Sequence, residues 1–375
     1  ISAGRSDYDR YYPILNGLKK SKKAKLFIYL TQSNYNPKFG SKLQTIKKKF
    51  FTIKSNTKTK IFNDSSNQMI KNLCLDINNL SNHIKKIKPD LFLLMGDRYE
   101  MLMGPLIAMP YNIPIIHFFG GAITEGAIDE LVRHGVTKMS HYHFVLLNQY
   151  RNRLLNLGEE SWRVKTIGMP SLTKNIKNKI PKNSFLEKYN LSKPYAILTF
   201  HPVTLEINKI NIQISSLVKA IKKSKLKIIM TYPNADPEFN KIIKKFKQAF
   251  KDKNKFLMVK NLGQKNYYNI LNTADLMIGN SSSGIVEAAS FNLPVVNIGS
   301  RQTGKFKPKN VIDTGYNYKD ILKGIKKAMN KNFKKSLKNL KNPYESKMNI
   351  NNVINLILRV KRSEKYLKKK FIDIR

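Results

Sequence analysis

The chain reads as an α/β protein built from two Rossmann-like, doubly wound domains facing a cleft. Three observations carry that expectation. Short apolar runs bounded by turn residues recur along its 375 residues, as strands buried on both faces of a parallel sheet do. Segments of helical period separate those runs in both halves, the alternation that makes βαβ units. A chain of this length also favours two domains, each large enough to bury its own core.

Each element follows from local pattern. In the first half, 25–31 reads as a strand and 68–88 as a helix with an apolar stripe. Residues 91–95, 113–117 and 142–147 follow as strands with helices between them, 128–139 among these, and 164–167 closes the series. Gly168-Met169-Pro170 punctuates it, and the polar, Lys/Asn-rich stretch 174–183 reads as a linker. The second half restarts at 195–200 and continues with strands at 227–232, 256–259, 276–279 and 294–298. Helical segments at 207–223, 237–250, 266–273 and 283–291 separate them. The amphipathic pattern of 351–370 predicts one helix that packs back across the first domain. The expected domains are therefore 1–172, 173–350 and a C-terminal helix within 351–375. Ile1-Ser2-Ala3-Gly4-Arg5 reads as the tail of a strand entering a glycine turn, with most of that first strand lying before Ile1.

Composition narrows the function classes. Hydrophobic residues make up 41%, a globular value, and no apolar run approaches the roughly 18 residues of a membrane span. Cys74 is the single cysteine, so an internal disulfide and a cysteine-cluster zinc site are excluded, in keeping with a reducing cytoplasm. The net charge of +45 invites a nucleic-acid reading. Its lysines, however, are scattered over helix faces (Lys19, Lys20, Lys47 to Lys49, Lys244, Lys245, Lys368 to Lys370) rather than gathered in one arginine-rich stripe. Dedicated nucleic-acid or membrane binding is not expected. The positive field still attracts an anionic small molecule such as a nucleotide sugar.

The stretch 96–144 is the most informative. Gly96-Asp97-Arg98 follows a predicted strand at its carboxyl end, where open α/β sheets place ligand groups. The next strand leads to Gly120-Gly121, and a helix then returns carrying Asp129, Glu130, Arg133 and His134. Asp97 and these acids are expected to converge on one crevice, with the Arg133-His134 pair orienting them. In the second half, Gly279-Asn280-Ser281-Ser282-Ser283-Gly284 stands between an apolar strand and a helix. There, hydroxyls and amides can cradle a diphosphate, and Glu287 one turn on can accept from ribose hydroxyls. An N-cap of serines with a solvent Glu is the plainer alternative. Gly4-Arg5-Ser6-Asp7-Tyr8 offers a second anion-binding turn, although such turns are often only structural. His201-Pro202 ends a strand, where the imidazole can hold a phosphate oxygen or carry a proton, a hydrogen-bonded structural histidine being the equal alternative. His141 and His143 have strand spacing, but no acid or Cys partner completes a metal set, so no metal and no cofactor is expected.

At these residues the chain resembles the hydrolysing UDP-N-acetylglucosamine 2-epimerases. These are sugar-nucleotide enzymes of glycosyltransferase-B architecture that serve sialic and related nonulosonic acid synthesis. The resemblance spans nearly the whole chain and rests on six blocks: GRSDYDRYYPIL (4–15), GDRYE (96–100), GGAITEGAIDELVRHGVTKMSHYHF (120–144), HPVTLE (201–206), GNSSSGIVEA (279–288) and NIGSRQTGKF (297–306). It implies a cytoplasmic homo-oligomer that converts UDP-N-acetylglucosamine and water to N-acetylmannosamine and UDP through a glycal. The alternatives are a GDP-linked or other nucleotide-sugar 2-epimerase, such as the diacetylbacillosamine type that shares the same blocks, and a catalytically weakened sugar-nucleotide-binding protein, given Phe119 and Ala122. The resemblance assigns proton transfer to Asp97 and Asp129, with Glu130 and His201 in the catalytic set. It assigns nucleotide binding to Arg5, Asp7, Asn280, Ser281, Ser282, Ser283, Glu287 and Arg301. Three positions depart from the family pattern. Phe119 stands where an acid or His is usual, Ala122 where Glu or Asp is usual, and Asn34 where a His is common, with Glu125 nearby as a substitute acid.

Overall fold

A computed structural model describes residues 1–2, 5–35, 46, 48–54, 65–174, 176, 193–234 and 236–373, with only the backbone of residues 5–7 and 54. Most of the expected linker 174–183, and Gly4, lie outside the described residues. The strands are β1 (Phe27–Leu30), β2 (Phe51–Lys54), β3 (Phe92–Met95), β4 (Ile115–Phe118), β5 (Tyr142–Val145), β6 (Val164–Thr166), β7 (Tyr195–Thr199), β8 (Lys227–Thr231), β9 (Phe256–Val259), β10 (Leu276–Gly279), β11 (Val295–Ile298) and β12 (Val311–Thr314). The chain divides into two compact units. One comprises Ile1–Ala122, Ile128–Thr173 and Tyr344–Arg375; the other comprises Ile123–Ala127 and Lys174–Pro343.

In the first unit β3, β4, β5 and β6 form one parallel sheet in chain order, and β1 pairs with β2. The first two residues run between these sheets. Ser2 exchanges backbone hydrogen bonds with β1, donating to Tyr29 O and accepting from Thr31 N, and the Ile1 amino group donates to Leu93 O of β3. Apolar strand faces pack on one side against the helices Arg5–Lys20 and Ile350–Arg359, through Tyr11, Ile14, Phe118, Phe144, Ile354 and Ile357. Gly17 makes that helix pair possible, since a Cβ there would lie 2.8 Å from Ile354 Cγ1. The other face buries Leu80 and Ile84 of the helix Ser66–Ile87 against Leu94, Ile115 and Val136.

The second unit is a six-stranded parallel sheet in the order β12-β11-β10-β7-β8-β9. From β7 the chain winds one way through β8 and β9, then crosses over and winds the other way from β10. The β7/β10 boundary is thus a topological switch point, the place where open α/β sheets bind ligands. Its core is aliphatic, with Leu198, Ile214, Leu217, Ile228, Ile278, Val296 and Ile321 all buried.

The alternation expected from sequence is present in both units, with four differences. The strands β2 and β12 and the helix Tyr318–Met329 were not anticipated. The segment expected as one helix over 207–223 is a 3₁₀ turn, Thr204–Lys209, followed by the helix Ile210–Ser224, with Glu206 out of helical conformation at φ −125°. The helix expected over 283–291 is Ser282–Val286 followed by a 3₁₀ turn, Ala288–Phe291. The helix expected over 351–370 stops at Arg359 and resumes only for Glu364–Leu367. The break follows Val360, whose backbone is extended at ψ 115°. Beyond it the buried Arg163 guanidinium donates to the carbonyls of Lys365, Tyr366 and Lys368, satisfying the free carbonyls at the end of the tail.

Candidate active site

At the switch point of the second unit, Gly279 ends β10 with φ +130°, and a Cβ there would lie 1.9 Å from Thr199 O. Only glycine lets the two strand ends come that close. The next residue, Asn280, is fully buried and braces the neighbouring strand end. Its Oδ1 accepts from His201 N at 2.7 Å and its Nδ2 donates to His201 O at 2.9 Å. Its own carbonyl accepts from Gln302 Nε2 at 2.9 Å and from Arg301 Nη1 at 3.4 Å. His201 is therefore held by backbone, and its Nδ1 accepts from Asn234 N at 3.0 Å. With Nδ1 an acceptor, the neutral ring carries its proton on Nε2, a donor for an anionic oxygen.

The serines follow directly. Ser281 is the N-cap of Ser282–Val286, its side chain accepting from Ser283 N. Ser283 Oγ accepts from Tyr267 Oη at 2.6 Å. Ser281 and Ser282 are partly exposed, Glu287 is buried one turn along, and Arg301 is buried beside Asn280. The segment Ile123–Ala127 belongs to this unit, with Glu125 N donating to Thr303 O and Gly126 packed so closely that a Cβ would meet Arg301 Cα at 2.8 Å. Glu125 thus sits with the serine set's unit, whereas Ala122 sits with the first unit. Ser300 Oγ donates to Glu206 Oε1 at 2.5 Å, and Gln213 Nε2 donates to Glu206 Oε2 at 2.9 Å.

In the first unit the strand ends of β3 and β4 are neighbours, with Met95 and Phe118 in register. Beyond them the acids gather around Arg133, on the helix Asp129–Lys138. The guanidinium has no exposure. Its Nε and Nη2 donate to Asp97 Oδ2 at 3.1 and 2.5 Å, and its Nη1 donates to Glu130 Oε2 at 2.7 Å and Ala122 O at 2.9 Å. Burial opposes its charge, but Asp97, Asp129 and Glu130 outweigh that and raise its pKa above the ordinary value. Glu130 also takes a bond from His134, Nε2 to Oε1 at 2.9 Å. The Arg-His pair orients the acids, as the sequence implied, and the Asp97 side chain remains one-third open to solvent.

Two supports went unrecognised in the sequence. His117 lies buried beneath the β3 end, its Nε2 donating to Gly96 O at 2.9 Å and its Nδ1 accepting from Thr137 Oγ1 at 3.1 Å. Burial lowers its pKa to about 3, so the ring is a neutral strut that fixes the turn before Asp97. The second is an acid partner for His143, which the sequence did not offer: Glu159 Oε2 lies 3.0 Å from His143 Nε2, and Lys369 Nζ reaches the same carboxylate at 2.8 Å. A pairing across that many residues leaves no local pattern. Gly121, at φ +78°, lets the helix Asn148–Asn156 approach, since a Cβ would lie 2.5 Å from Tyr150 O. Arg5 and Asp7 have their backbone in the helix Arg5–Lys20, and their side chains lie outside the described residues. Asn34 donates to Ser2 O at 2.7 Å.

Among the described residues no helix is long and apolar enough to cross a membrane. The family model described as UDP-N-acetylglucosamine 2-epimerase matches residues 16–358. A UDP-N,N'-diacetylbacillosamine 2-epimerase (hydrolyzing) of Legionella pneumophila is 34% identical over 334 residues, covering 88% of each chain. A GDP/UDP-N,N'-diacetylbacillosamine 2-epimerase (hydrolyzing) of Campylobacter jejuni is 35% identical over 382 residues, covering 100% of this chain and 98% of that protein. Among solved structures, the UDP-GlcNAc 2-epimerase of Methanocaldococcus jannaschii in complex with UDP-GlcNAc and UDP superposes with a TM-score of 0.73 at 18% identity, covering 94% of this chain and 96% of that one. Matched along almost its entire length, the chain belongs to the UDP-N-acetylglucosamine 2-epimerase family.

Proposed function

We propose that the protein is a hydrolysing nucleotide-sugar 2-epimerase whose substrate is UDP-N,N'-diacetylbacillosamine. The observation that carries the reading is the identity of 34 and 35% to two hydrolysing diacetylbacillosamine epimerases, sustained over most or all of the chain. The reaction has two stages. A base removes the proton from C2 as the C1–O bond breaks and UDP departs, leaving a C1=C2 glycal. Water then adds its hydroxyl to C1 while an acid returns a proton to the opposite face of C2. The free 2-epimer and UDP are the products.

The C2–H bond is not acidic, so C1–O cleavage runs ahead and the diphosphate charge must be neutralised as it develops. The second unit's switch point has groups suited to that demand: the Nε2–H of His201, the hydroxyls of Ser281, Ser282 and Ser283, and the Arg301 guanidinium. Asn280 positions His201 and Glu287 accepts from the ribose; for Arg5 and Asp7 a nucleotide role rests on the family resemblance alone. Asp97, Asp129 and Glu130 accept and return the protons, a role typically worth about 10²–10⁴ in rate for each such group. A buried arginine that pins two carboxylates supports that assignment, because it fixes their direction without closing Asp97 to solvent.

UDP-N-acetylglucosamine is the second reading, favoured by the name of the matching family model. Purified protein incubated with each UDP-sugar and followed by proton and phosphorus NMR decides between them. The expected result is UDP and a free 2-epimer from the diacetamido sugar at the higher kcat/KM. Release from neither sugar refutes the proposal; preference for UDP-N-acetylglucosamine establishes the second reading instead.

A further inference from the structure

Phe119, at the acid-bearing strand ends, has no part in proton transfer. It follows β4 directly, with backbone at φ +71°. That conformation is costly for a bulky L residue and persists where the surroundings impose it, most often at functional sites. Its N–H donates to Phe144 O at 2.6 Å, and its ring stacks on Tyr11 with centroids 5.1 Å apart and planes 15° apart. The residue is only half-buried. The Phe118 carbonyl just before it accepts from Gly96 N at 3.2 Å, and Tyr11, on which its ring stacks, has its hydroxyl 3.6 Å from a Cβ built on Gly96, next to Asp97. Three residues on, in the turn that follows β4, Ala122 is a second apolar side chain, itself buried.

We propose that Phe119, backed by Tyr11, is a specificity-determining residue that packs against the C6 methyl group of a 6-deoxy nucleotide sugar and disfavours a 6-hydroxyl. The proposal rests on the substrate reading above. Bacillosamine sugars carry a methyl at C6 and a second amide at C4, whereas N-acetylglucosamine carries a hydroxyl at both. A phenyl ring offers a C6 hydroxyl no hydrogen-bond partner after stripping its water. An apolar contact of this kind discriminates by about 10²-fold against a sugar that merely adds a hydroxyl. An acid or amide at the same place would accept from that hydroxyl and reverse the preference.

The test compares kcat/KM for two UDP-linked 2,4-diacetamido sugars that differ only at C6, one methyl and one hydroxymethyl. The wild type is expected to prefer the 6-methyl sugar by about 10²-fold. Phe119→Asn, whose side chain tolerates a positive φ and can bind a hydroxyl, is expected to cut that ratio at least tenfold. Phe119→Leu, apolar but without the stack, is expected to keep most of it, and melting curves establish that both variants fold. A wild type without the preference, or an Asn variant with an unchanged ratio, overturns the assignment while leaving the epimerase reading intact. Release of UDP from neither sugar refutes the epimerase reading, and the assignment with it.

Discussion

Replacing Arg133 by Met strands two carboxylates at once. The guanidinium is completely buried and donates twice to Asp97, once to Glu130 and once to Ala122 O. Removing one partner of a buried ion pair costs about 3–5 kcal/mol, because the charge left behind has neither water nor a counterion. Here the Asp97 and Glu130 side chains are 33% and 24% exposed, so solvent takes over part of the loss. A destabilisation of about 3 kcal/mol is the expected value, a fall in melting temperature on the order of 10 °C. The double-mutant cycle gives the sharper test. Asp97→Asn made in the Arg133→Met background removes a stranded charge, so it costs less there than in wild type, with a coupling of about 1–3 kcal/mol. Denaturant melts of the four proteins measure it. Additivity within about 0.5 kcal/mol, or a Met variant that melts with wild type, would show that Arg133 does not organise these acids.

Other consequences are equally concrete. Burial works against the charge of Glu159, but hydrogen bonds from His143 and Lys369 outweigh it and hold its pKa at about 2 rather than 4.5. A depressed carboxyl contributes stability above its unfolded pKa and loses it as pH falls toward its folded one. The first unit should therefore weaken between about pH 4.5 and 2, and Glu159→Gln should melt at lower temperature near neutrality yet decline less through that window. An equally steep acid decline in the variant counts against the pair. Gly279→Ala, with its Cβ 1.9 Å from Thr199 O, is expected to cost about 3 kcal/mol or more and to weaken UDP binding; wild-type melting and affinity would contradict the switch-point geometry. Ser281→Ala combined with Ser282→Ala should cost about 1 kcal/mol through the lost Ser281 N-cap and lower UDP affinity by calorimetry at least about tenfold, whereas unchanged affinity removes these hydroxyls from the diphosphate site.

Periodicity made the sheets legible because buried parallel strands are nearly uninterrupted apolar runs; β7, β8 and β10 are buried along almost their whole length. β12 escaped notice because VIDT has only two aliphatic residues and its Asp313 is exposed at an edge. The helix Tyr318–Met329 was readable from Ile321, Ile325 and Ala328, which line its buried face, but lay among lysines that masked the stripe. The tail differs in another way: the pattern of 351–370 is helical, yet the backbone turns extended at Val360 and its end is held by Arg163, distant in sequence. The candidate site divides the same way. The serine turn was recognisable because strand, glycine and N-cap are consecutive. The grip of Arg133 on Asp97, 36 residues earlier, and the bracing of His201 by Asn280, 79 residues later, depend on tertiary placement and left no local signal.

Proton exchange at C2 tests the central claim most directly. Protein turning over UDP-N,N'-diacetylbacillosamine in D₂O, followed by NMR, should release UDP together with a free 2-epimer carrying one deuterium at C2 from its first appearance. A product that keeps its C2 proton, or UDP released with the sugar's configuration unchanged, would contradict removal and return of that proton by the carboxylates gathered around Arg133.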